Sequence, residues 1–135
     1  MSSSLVEPAW LTLDDVLAIH EDQIARYGGP EGVRDYGLVA SAVHRPQQLY
    51  HYDGERDILA LAIRLGIGIA ENHGFVDGNK RAGAFSMIEF LALNGAWLDM
   101  PNDTRLGRLF LLTLAKRITE QDLGDELYRY VVTAD

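Results

Sequence analysis

Residues 58–93 read ILALAIRLGIGIA, then ENHGFVDGNKR, then AGAFSMIEFLAL. The first and third pieces, Ile58 to Ala70 and Ala82 to Leu93, are apolar on nearly every helical face. Because a helix that is apolar all round is a buried one, they predict two central buried helices joined by a polar segment. Gly66 and Gly68 would each weaken the first helix by about 1 kcal/mol relative to alanine, so we expect both at a close contact with a neighbouring helix.

The chain before this segment carries further helix start and stop signals. Thr12 can cap a first helix that ends at Gly28-Gly29-Pro30. Asp35 can cap a second helix, which is expected to stop before Pro46 because the residue preceding a proline disfavours helical geometry. The next stretch, Leu49-Tyr50-His51-Tyr52, lacks helical spacing and is predicted as a short extended segment or flap.

The chain after this segment predicts two more helices. Asn102 or Asp103 can cap a fifth, and the run Thr119-Glu120-Gln121-Asp122 resembles a capping box that opens a sixth, expected to include Tyr130 and Val131. The sequence therefore predicts an all-α fold with almost no sheet. It is a single domain over residues 1–135, a helical bundle of about six helices around two central buried ones, with residues 1–10 flexible.

Composition narrows the classes of function. A chain of 135 residues, 47% of them apolar, can form one hydrophobic core, and the absence of cysteine excludes disulfides, thiolate metal sites and cysteine nucleophiles. The net charge of −8 argues against direct binding of nucleic acid. No apolar run approaches the roughly 20 residues that a membrane span needs, and no signal peptide is recognisable, so we expect a cytoplasmic protein.

The polar segment between the central helices contains the features of an anion site. Lys80 and Arg81 fall in the first turn of the second helix, where cations oppose the helix dipole by about 0.3–1 kcal/mol each. Unpaired backbone N–H groups, Gly78, the Asn79 amide and these two cations together indicate a phosphate cradle. An anionic ligand would explain why positive charge is placed there.

Two more residues of the segment suggest chemistry. Asp77 is the one carboxylate placed to hold a magnesium ion, which typically needs one or two carboxylates besides phosphates and water. His73, at the end of the first central helix, can accept a proton from an attacking hydroxyl. Singly, Asp77 could be only a helix cap, His73 only a partner of the helix dipole, and Lys80 with Arg81 only solvated charges. Their concentration within nine residues favours a functional site.

The stretch His73-Gly-Phe75-Val-Asp77-Gly78-Asn79-Lys80-Arg81 resembles the signature of the Fic/Doc superfamily. It is most similar to the death-on-curing branch, in which lysine replaces a glycine of the signature. Segments outside the signature agree with that branch, and these are Gly32 to Leu38, Arg45 to Gln47, and Asn94-Gly95.

The resemblance implies an all-α fold and assigns roles to the matching residues. His73 would be the general base, Asp77 the Mg²⁺ ligand, and Gly78, Asn79, Lys80 and Arg81 the residues that bind ATP. Phe75 would anchor the loop in the core. The flap, Leu49, Tyr50, His51 and Tyr52, would align the target chain by strand-like pairing.

The resemblance also implies a reaction. Most Fic proteins transfer AMP to a protein hydroxyl, whereas the death-on-curing branch transfers the γ-phosphate of Mg–ATP to a Ser/Thr hydroxyl of elongation factor Tu and arrests translation. Lys80, together with Gly83-Ala84 where most Fic enzymes carry a second arginine, favours the protein kinase activity over AMP transfer. Lys80 and Arg81 would then act in catalysis as well as in binding.

The same resemblance implies a toxin of a toxin–antitoxin pair. The family is inhibited by a Ser/Thr-x-x-x-Glu-Gly/Asn helix, which Ser3 to Pro8 matches poorly, so we expect the inhibitory segment to come from a separate antitoxin. Two other functions stay open at this point, a non-catalytic binding module and a metal-dependent phosphohydrolase that uses His73 and Asp77.

Overall fold

The structure, a computed structural model, describes residues 6–134 and consists of helices with one small sheet. The helices are α1 Leu13–Tyr27, α2 Tyr36–Asp53, α3 Ile58–Asn72, α4 Asn79–Leu93, α5 Arg105–Leu114 and α6 Glu120–Tyr128; the strands are β1 Ala96–Leu98 and β2 Val131–Thr133. The prediction of an all-α bundle of about six helices is confirmed for the described residues. None of these helices is both long and apolar enough to cross a bilayer.

The helices α3 and α4 form the centre of the bundle through a glycine contact. A Cβ atom on Gly66 would lie 2.7 Å from the carbonyl oxygen of Gly83, and a Cβ on Gly83 would collide with the carbonyl of Gly66. The close contact predicted for Gly66 is confirmed. Gly68 also faces a neighbouring helix, but a Cβ there would lie 3.6 Å from Ala42 Cβ, an ordinary contact distance, so this contact does not require glycine.

The two central helices differ in burial. Ten of the fifteen residues of α3 are buried, as predicted. The expectation that α4 is buried all round is wrong: it leaves Phe85 37% exposed and Leu93 50% exposed. The helix packs on α3, α1 and β1, which leaves one of its faces to solvent.

The N-terminal part of the bundle follows the sequence signals at α1. Thr12 and Asp15 form a reciprocal capping box, and the helix ends at Gly28. Of the residues expected to be flexible, residues 1–5 lie outside the described part, and so does the first half of the segment Ser3 to Pro8. Ala9 exchanges two hydrogen bonds with the Asn94 side chain, at 2.8 and 2.9 Å.

The second helix differs from the prediction. Asp35 caps α2 as expected, but the helix continues through Pro46 to Asp53 and ends at Gly54 in a left-handed conformation. An internal proline costs about 3 kcal/mol, and here tertiary packing offsets it, because Pro46 is buried and Leu49 and Tyr50 pack against the core. The predicted extended flap, Leu49 to Tyr52, is therefore the last part of a helix.

The C-terminal part combines two short helices with the sheet. The fifth helix begins at Arg105, whose backbone N–H donates to Asp103 at 2.8 Å. The capping box of Thr119 and Asp122 is confirmed at the start of α6. The sixth helix ends at Tyr128, earlier than predicted, because the chain then forms β2 and pairs antiparallel with β1.

Candidate active site

The loop between α3 and α4 is bounded by two residues in the left-handed conformation. His73 ends α3 with φ 52°, and Gly78 caps α4 with φ 75°. The left-handed region costs a residue with a side chain about 1–2 kcal/mol, whereas glycine enters it freely. The fold thus maintains a strained backbone at His73, the residue for which the sequence suggests chemistry.

The inner side of the loop is fixed by Asn79 and Phe75. The Asn79 side chain accepts a hydrogen bond from the Phe75 N–H at 3.0 Å and donates one to the Phe75 carbonyl at 3.1 Å. The Phe75 ring is 2% exposed and stacks on the ring of His20, with centroids 3.7 Å apart. The structure thus places Phe75 in the core. It uses Asn79 mainly to close the loop, with one amide N–H left for a ligand.

A short extended segment before α2 pairs with this loop. Val33 forms an isolated antiparallel bridge with Phe75, and the Val76 N–H donates to the Gly32 carbonyl. The guanidinium group of Arg34 donates to the carbonyl of His73, with Nε at 2.9 Å. The stretch Leu49 to Tyr52 was predicted to pair with a target chain in a strand-like manner, but its backbone is helical and offers no free strand edge.

The outer side of the loop carries the exposed chemical groups. His73 and Lys80 are both exposed, and both line a cavity of about 440 Å³ between the loop and α5. Neither side chain makes a hydrogen bond or an ion pair within residues 6–134. The other lining residues of this cavity are Ala70, Glu71, Leu111, Leu114 and Ala115.

Asp77 and Arg81 lie on another side of the same loop, against the turn that follows α1. The Arg81 guanidinium donates to the carbonyl of Gly28 at 3.1 Å and stands 5.8 Å from the Tyr27 ring centroid. A Cβ on Gly29 would lie 2.7 Å from Asp77 Oδ2 and 3.6 Å from the Arg81 Nη2. The carboxylate and the guanidinium therefore both border Gly29.

The start of α4 has backbone donors available to a ligand. Its first backbone hydrogen bond runs from the Ala82 N–H to the Gly78 carbonyl at 2.9 Å, and Gly78 has no side chain that could cap the helix. The N–H groups of the first turn therefore have no intramolecular acceptor within residues 6–134. An anion is the natural partner for such a helix start, and Lys80 and Arg81 add positive charge there.

The donor set also bears on the metal. Within residues 6–134, no group of three or more His, Asp or Glu side chains is arranged to hold a metal ion. Asp77 is exposed and can offer one carboxylate. That fits a magnesium ion that takes its remaining ligands from phosphates and water, and it does not fit a metal held by protein alone.

A second charged cluster, the Arg64 network, lies next to the cavity. Arg64 pairs with Glu71 at 2.9 Å and with Glu120 at 2.8 Å, while Lys116 pairs with Glu71 at 3.1 Å. Burial alone would raise the pKa of the Glu71 carboxyl. The hydrogen bonds and charges of Arg64 and Lys116 outweigh it, so this pKa lies below its ordinary value.

Three features near the loop escaped the sequence analysis: the pairing of Val33 with Phe75, the contact of Arg34 with His73, and the role of Gly28-Gly29 as a wall beside Asp77. None carries a local signal, because each joins residues more than thirty positions apart. His20 was recognisable only as a histidine on an apolar helix face. It is 4% exposed and its partner belongs to the loop.

Comparison with known proteins agrees with this geometry. The family model described as "Fic/DOC family" matches residues 10–91, which include the whole loop. The chain belongs to the Fic/Doc family. It is 42% identical over 110 residues to the "Toxin Doc" of Mycolicibacterium smegmatis, which covers 80% of this chain and 85% of the relative. It is 28% identical over 123 residues to the "Protein kinase doc" of Escherichia phage P1, covering 90% of this chain and 95% of the relative.

Proposed function

We propose that this protein is the toxin of a toxin–antitoxin pair and acts as a protein kinase of the Doc type. It transfers the γ-phosphate of Mg–ATP to a Ser/Thr hydroxyl of a translation factor, elongation factor Tu by family resemblance, and so arrests translation. The observation that carries the proposal is the position of His73 and Lys80 in one cavity beside the uncapped start of α4. The printed names of the two relatives, a toxin and a protein kinase, support the same reading.

The residues divide the work of phosphoryl transfer among them. The target hydroxyl oxygen forms a bond to the γ-phosphorus as the bond from that phosphorus to the β,γ-bridging oxygen breaks, and ADP leaves. The hydroxyl proton goes to the imidazole of His73. Lys80, Arg81 and the first-turn N–H groups hold the phosphates, and their fixed charges and dipoles stabilise the transferring group.

Asp77 is assigned to the magnesium ion that accompanies ATP. The metal neutralises phosphate charge in such reactions, and a single carboxylate suffices when phosphates and water supply its other ligands. Gly29 supports the assignment, because its lack of a side chain leaves the Asp77 carboxylate room beside the turn.

AMP transfer is the alternative reaction of this family, and the structure bears on it at one point. Gly83 lies against the Gly66 carbonyl and has no room for a side chain. Ala84, the next residue, is partly exposed and carries no charge. No second motif arginine is therefore present to hold a nucleotide in the manner of most Fic enzymes, which favours transfer of the γ-phosphate.

An antitoxin is the second proposed partner. The relative named a toxin supports a partner protein that supplies the inhibitory segment, since the segment Ser3 to Pro8 of this chain matches the inhibitory pattern poorly. A site used by ATP and by a protein hydroxyl must be accessible, and His73, Asp77 and Lys80 are all exposed. An antitoxin that covers them would block both.

The proposal is tested with labelled ATP, magnesium and purified elongation factor Tu. Label from γ-³²P-ATP should appear on the target, and label from α-³²P-ATP should not. Transfer should be lost in His73→Ala and kept in His44→Ala, a matched change at an exposed histidine of α2. Label on the target from α-³²P-ATP would establish AMP transfer instead. Release of phosphate from ATP without any acceptor protein would favour a phosphohydrolase, and absence of all three reactions would favour a binding module.

A further inference from the structure

Within residues 6–134, the buried histidine of α1 makes one polar contact, and it is with the active-site loop. His20 is 4% exposed, and its Nε2 lies 2.7 Å from the backbone carbonyl oxygen of Asp77. A carbonyl oxygen only accepts hydrogen bonds, so Nε2 must carry the proton. The same ring stacks on Phe75 at an interplanar angle of 7°. His20 therefore holds the loop both through its ring face and through its N–H.

The contact fixes the orientation of one peptide unit. The peptide joining Asp77 to Gly78 is trans, as are all the others described, and a planar trans peptide points its C=O and N–H in opposite directions. Because the Asp77 carbonyl points toward α1, the N–H of Gly78 points away from α1. That N–H has no acceptor within residues 6–134.

Within residues 6–134, His20 is the one hydrogen-bond donor to the Asp77 carbonyl. Gly78 has φ 75° and no side chain, so its own conformational preference does little to fix the Asp77–Gly78 peptide. A Cβ on Gly78 would lie 3.5 Å from His20 Nε2 and 3.1 Å from Ile24, which shows how closely α1 covers the turn. Without the histidine donor, the carbonyl of Asp77 would lose its partner and the peptide could flip.

We propose that His20 is a positioning residue for nucleotide binding: its N–H, donated to the Asp77 carbonyl, aims the N–H of Gly78 and the start of α4 at the phosphates. The inference rests on the proposed function for the identity of the ligand. His20 does not touch the reacting atoms, and it acts through the orientation of the Asp77–Gly78 peptide.

Two substitutions separate the two contacts that His20 makes. His20→Phe keeps the stacked ring and removes the donor, whereas His20→Gln places an amide donor near the position of Nε2 and removes the stacking. Gln23→Met is the matched control, since Gln23 is a buried polar residue of the same helix that makes no hydrogen bond to the loop through its side-chain oxygen.

Binding of Mg–ATP to the antitoxin-free full chain is measured by calorimetry, with thermal unfolding of each variant alongside. We expect a Kd about tenfold higher for His20→Phe, as for the loss of one hydrogen bond to a charged ligand. His20→Gln should stay within about threefold of the wild type, and Gln23→Met should match it. Equal Kd values for all four proteins would overturn the inference, and so would a His20→Gln as weak as His20→Phe.

Two NMR measurements keep the test independent of variant folding and of the proposed function. In the wild type at pH 8, ¹⁵N-labelled histidine should show His20 protonated at Nε2; protonation at Nδ1 would refute the contact. If the wild type binds no Mg–ATP, the proposed function fails, but the amide signal of Gly78 still reports the peptide. A Gly78 signal that His20→Phe leaves unmoved would sink the positioning role.

Discussion

Two clusters of charge flank the end of α3, and they differ in how their charges are used. In the Arg64 network, described above, every charged group has an oppositely charged partner within 3.1 Å. The motif cluster contains no ion pair within residues 6–134, and its one side-chain hydrogen bond to the rest of the chain runs from Arg81 to a carbonyl. Its members are His73, Asp77, Lys80 and Arg81.

The difference separates charges that pair with one another in the fold from charges that the proposed function assigns to a ligand. The network joins α3 to α6 and to the residues just after α5, so its charged groups interact with one another in place of water. The motif cluster surrounds the uncapped start of α4, and within residues 6–134 no carboxylate forms an ion pair with Lys80 or Arg81. Under the proposed function, the phosphates of ATP would supply the negative charge that pairs with these cations.

The largest expected effect, and the strongest test of this difference between the clusters, comes from substituting His73. Replacing it with alanine should lower the rate of phosphate transfer by about 10²–10⁴-fold, because a general base contributes about that much. Thermal unfolding should be almost unchanged, since the His73 side chain makes no hydrogen bond or ion pair within residues 6–134 and the strained φ of 52° is common to both proteins. A variant that unfolds more easily but transfers phosphate normally would show that His73 stabilises the fold and is not the general base.

The second test concerns the helix pair that supports both clusters. Gly66→Ala should reduce the free energy of unfolding by about 1–3 kcal/mol, because its Cβ would lie 2.7 Å from a backbone oxygen of α4. Gly68→Ala is the matched control on the same helix, where the nearest atom is 3.6 Å away. It should be neutral or stabilise by up to about 1 kcal/mol through helix propensity. Denaturant unfolding of both variants decides, and equal effects would refute the close contact.

A third substitution removes the central cation of the Arg64 network. Arg64→Met keeps much of the volume of the side chain and leaves Glu71 and Glu120 without their shared cation. Because these groups are partly exposed, we expect a loss of about 1–2 kcal/mol in the free energy of unfolding, below the cost of breaking a fully buried pair. Phosphate transfer by the folded fraction should persist. A loss of transfer as large as that of His73→Ala would erase the distinction between the clusters.

The smallest expected effect has a pH signature. Since the pKa of Glu71 is lowered on folding, its ion pairs stabilise the protein fully above the ordinary pKa of about 4.5, and that stabilisation is lost as pH falls through the lowered value. Glu71→Gln should cost less than about 1 kcal/mol at pH 7. It should also make the free energy of unfolding less dependent on pH below 4.5. Unfolding curves of wild type and variant at pH 3.5 and 7 measure this. An equal change in the free energy of unfolding between the two pH values in both proteins would contradict it.

Local signals determined a large part of the fold. The capping boxes at Thr12 and Thr119, the stop at Gly28 and the apolar runs of α3 and α4 each act within a few residues, so the sequence displays them directly. Pro46 shows where such reasoning fails. Its local preference was to end α2, but burial of the proline and of the turns that follow it outweighed that preference.

The motif residues of the site were likewise visible in the sequence, because they are contiguous. The sequence did not show that their side chains lie on two sides of the loop. His73 and Lys80 line one cavity, while Asp77 and Arg81 border Gly29. Asn79, expected to contact phosphate, forms two hydrogen bonds with the backbone of Phe75. These outcomes depend on which neighbour each side chain meets, and spacing along one helix does not specify it.

The sequence by itself determined that this chain folds as helices around two apolar ones and that a histidine, a carboxylate and two cations stand at their junction. Periodicity, caps and a contiguous motif are local properties, so they can be recognised in the sequence without the structure. Tertiary structure alone decided that α1 reaches the loop through His20, that Val33 pairs with Phe75 and that α2 runs through a proline. Those are contacts between distant residues, whose free energy depends on burial and hydrogen bonding that exist only once the chain has closed on itself.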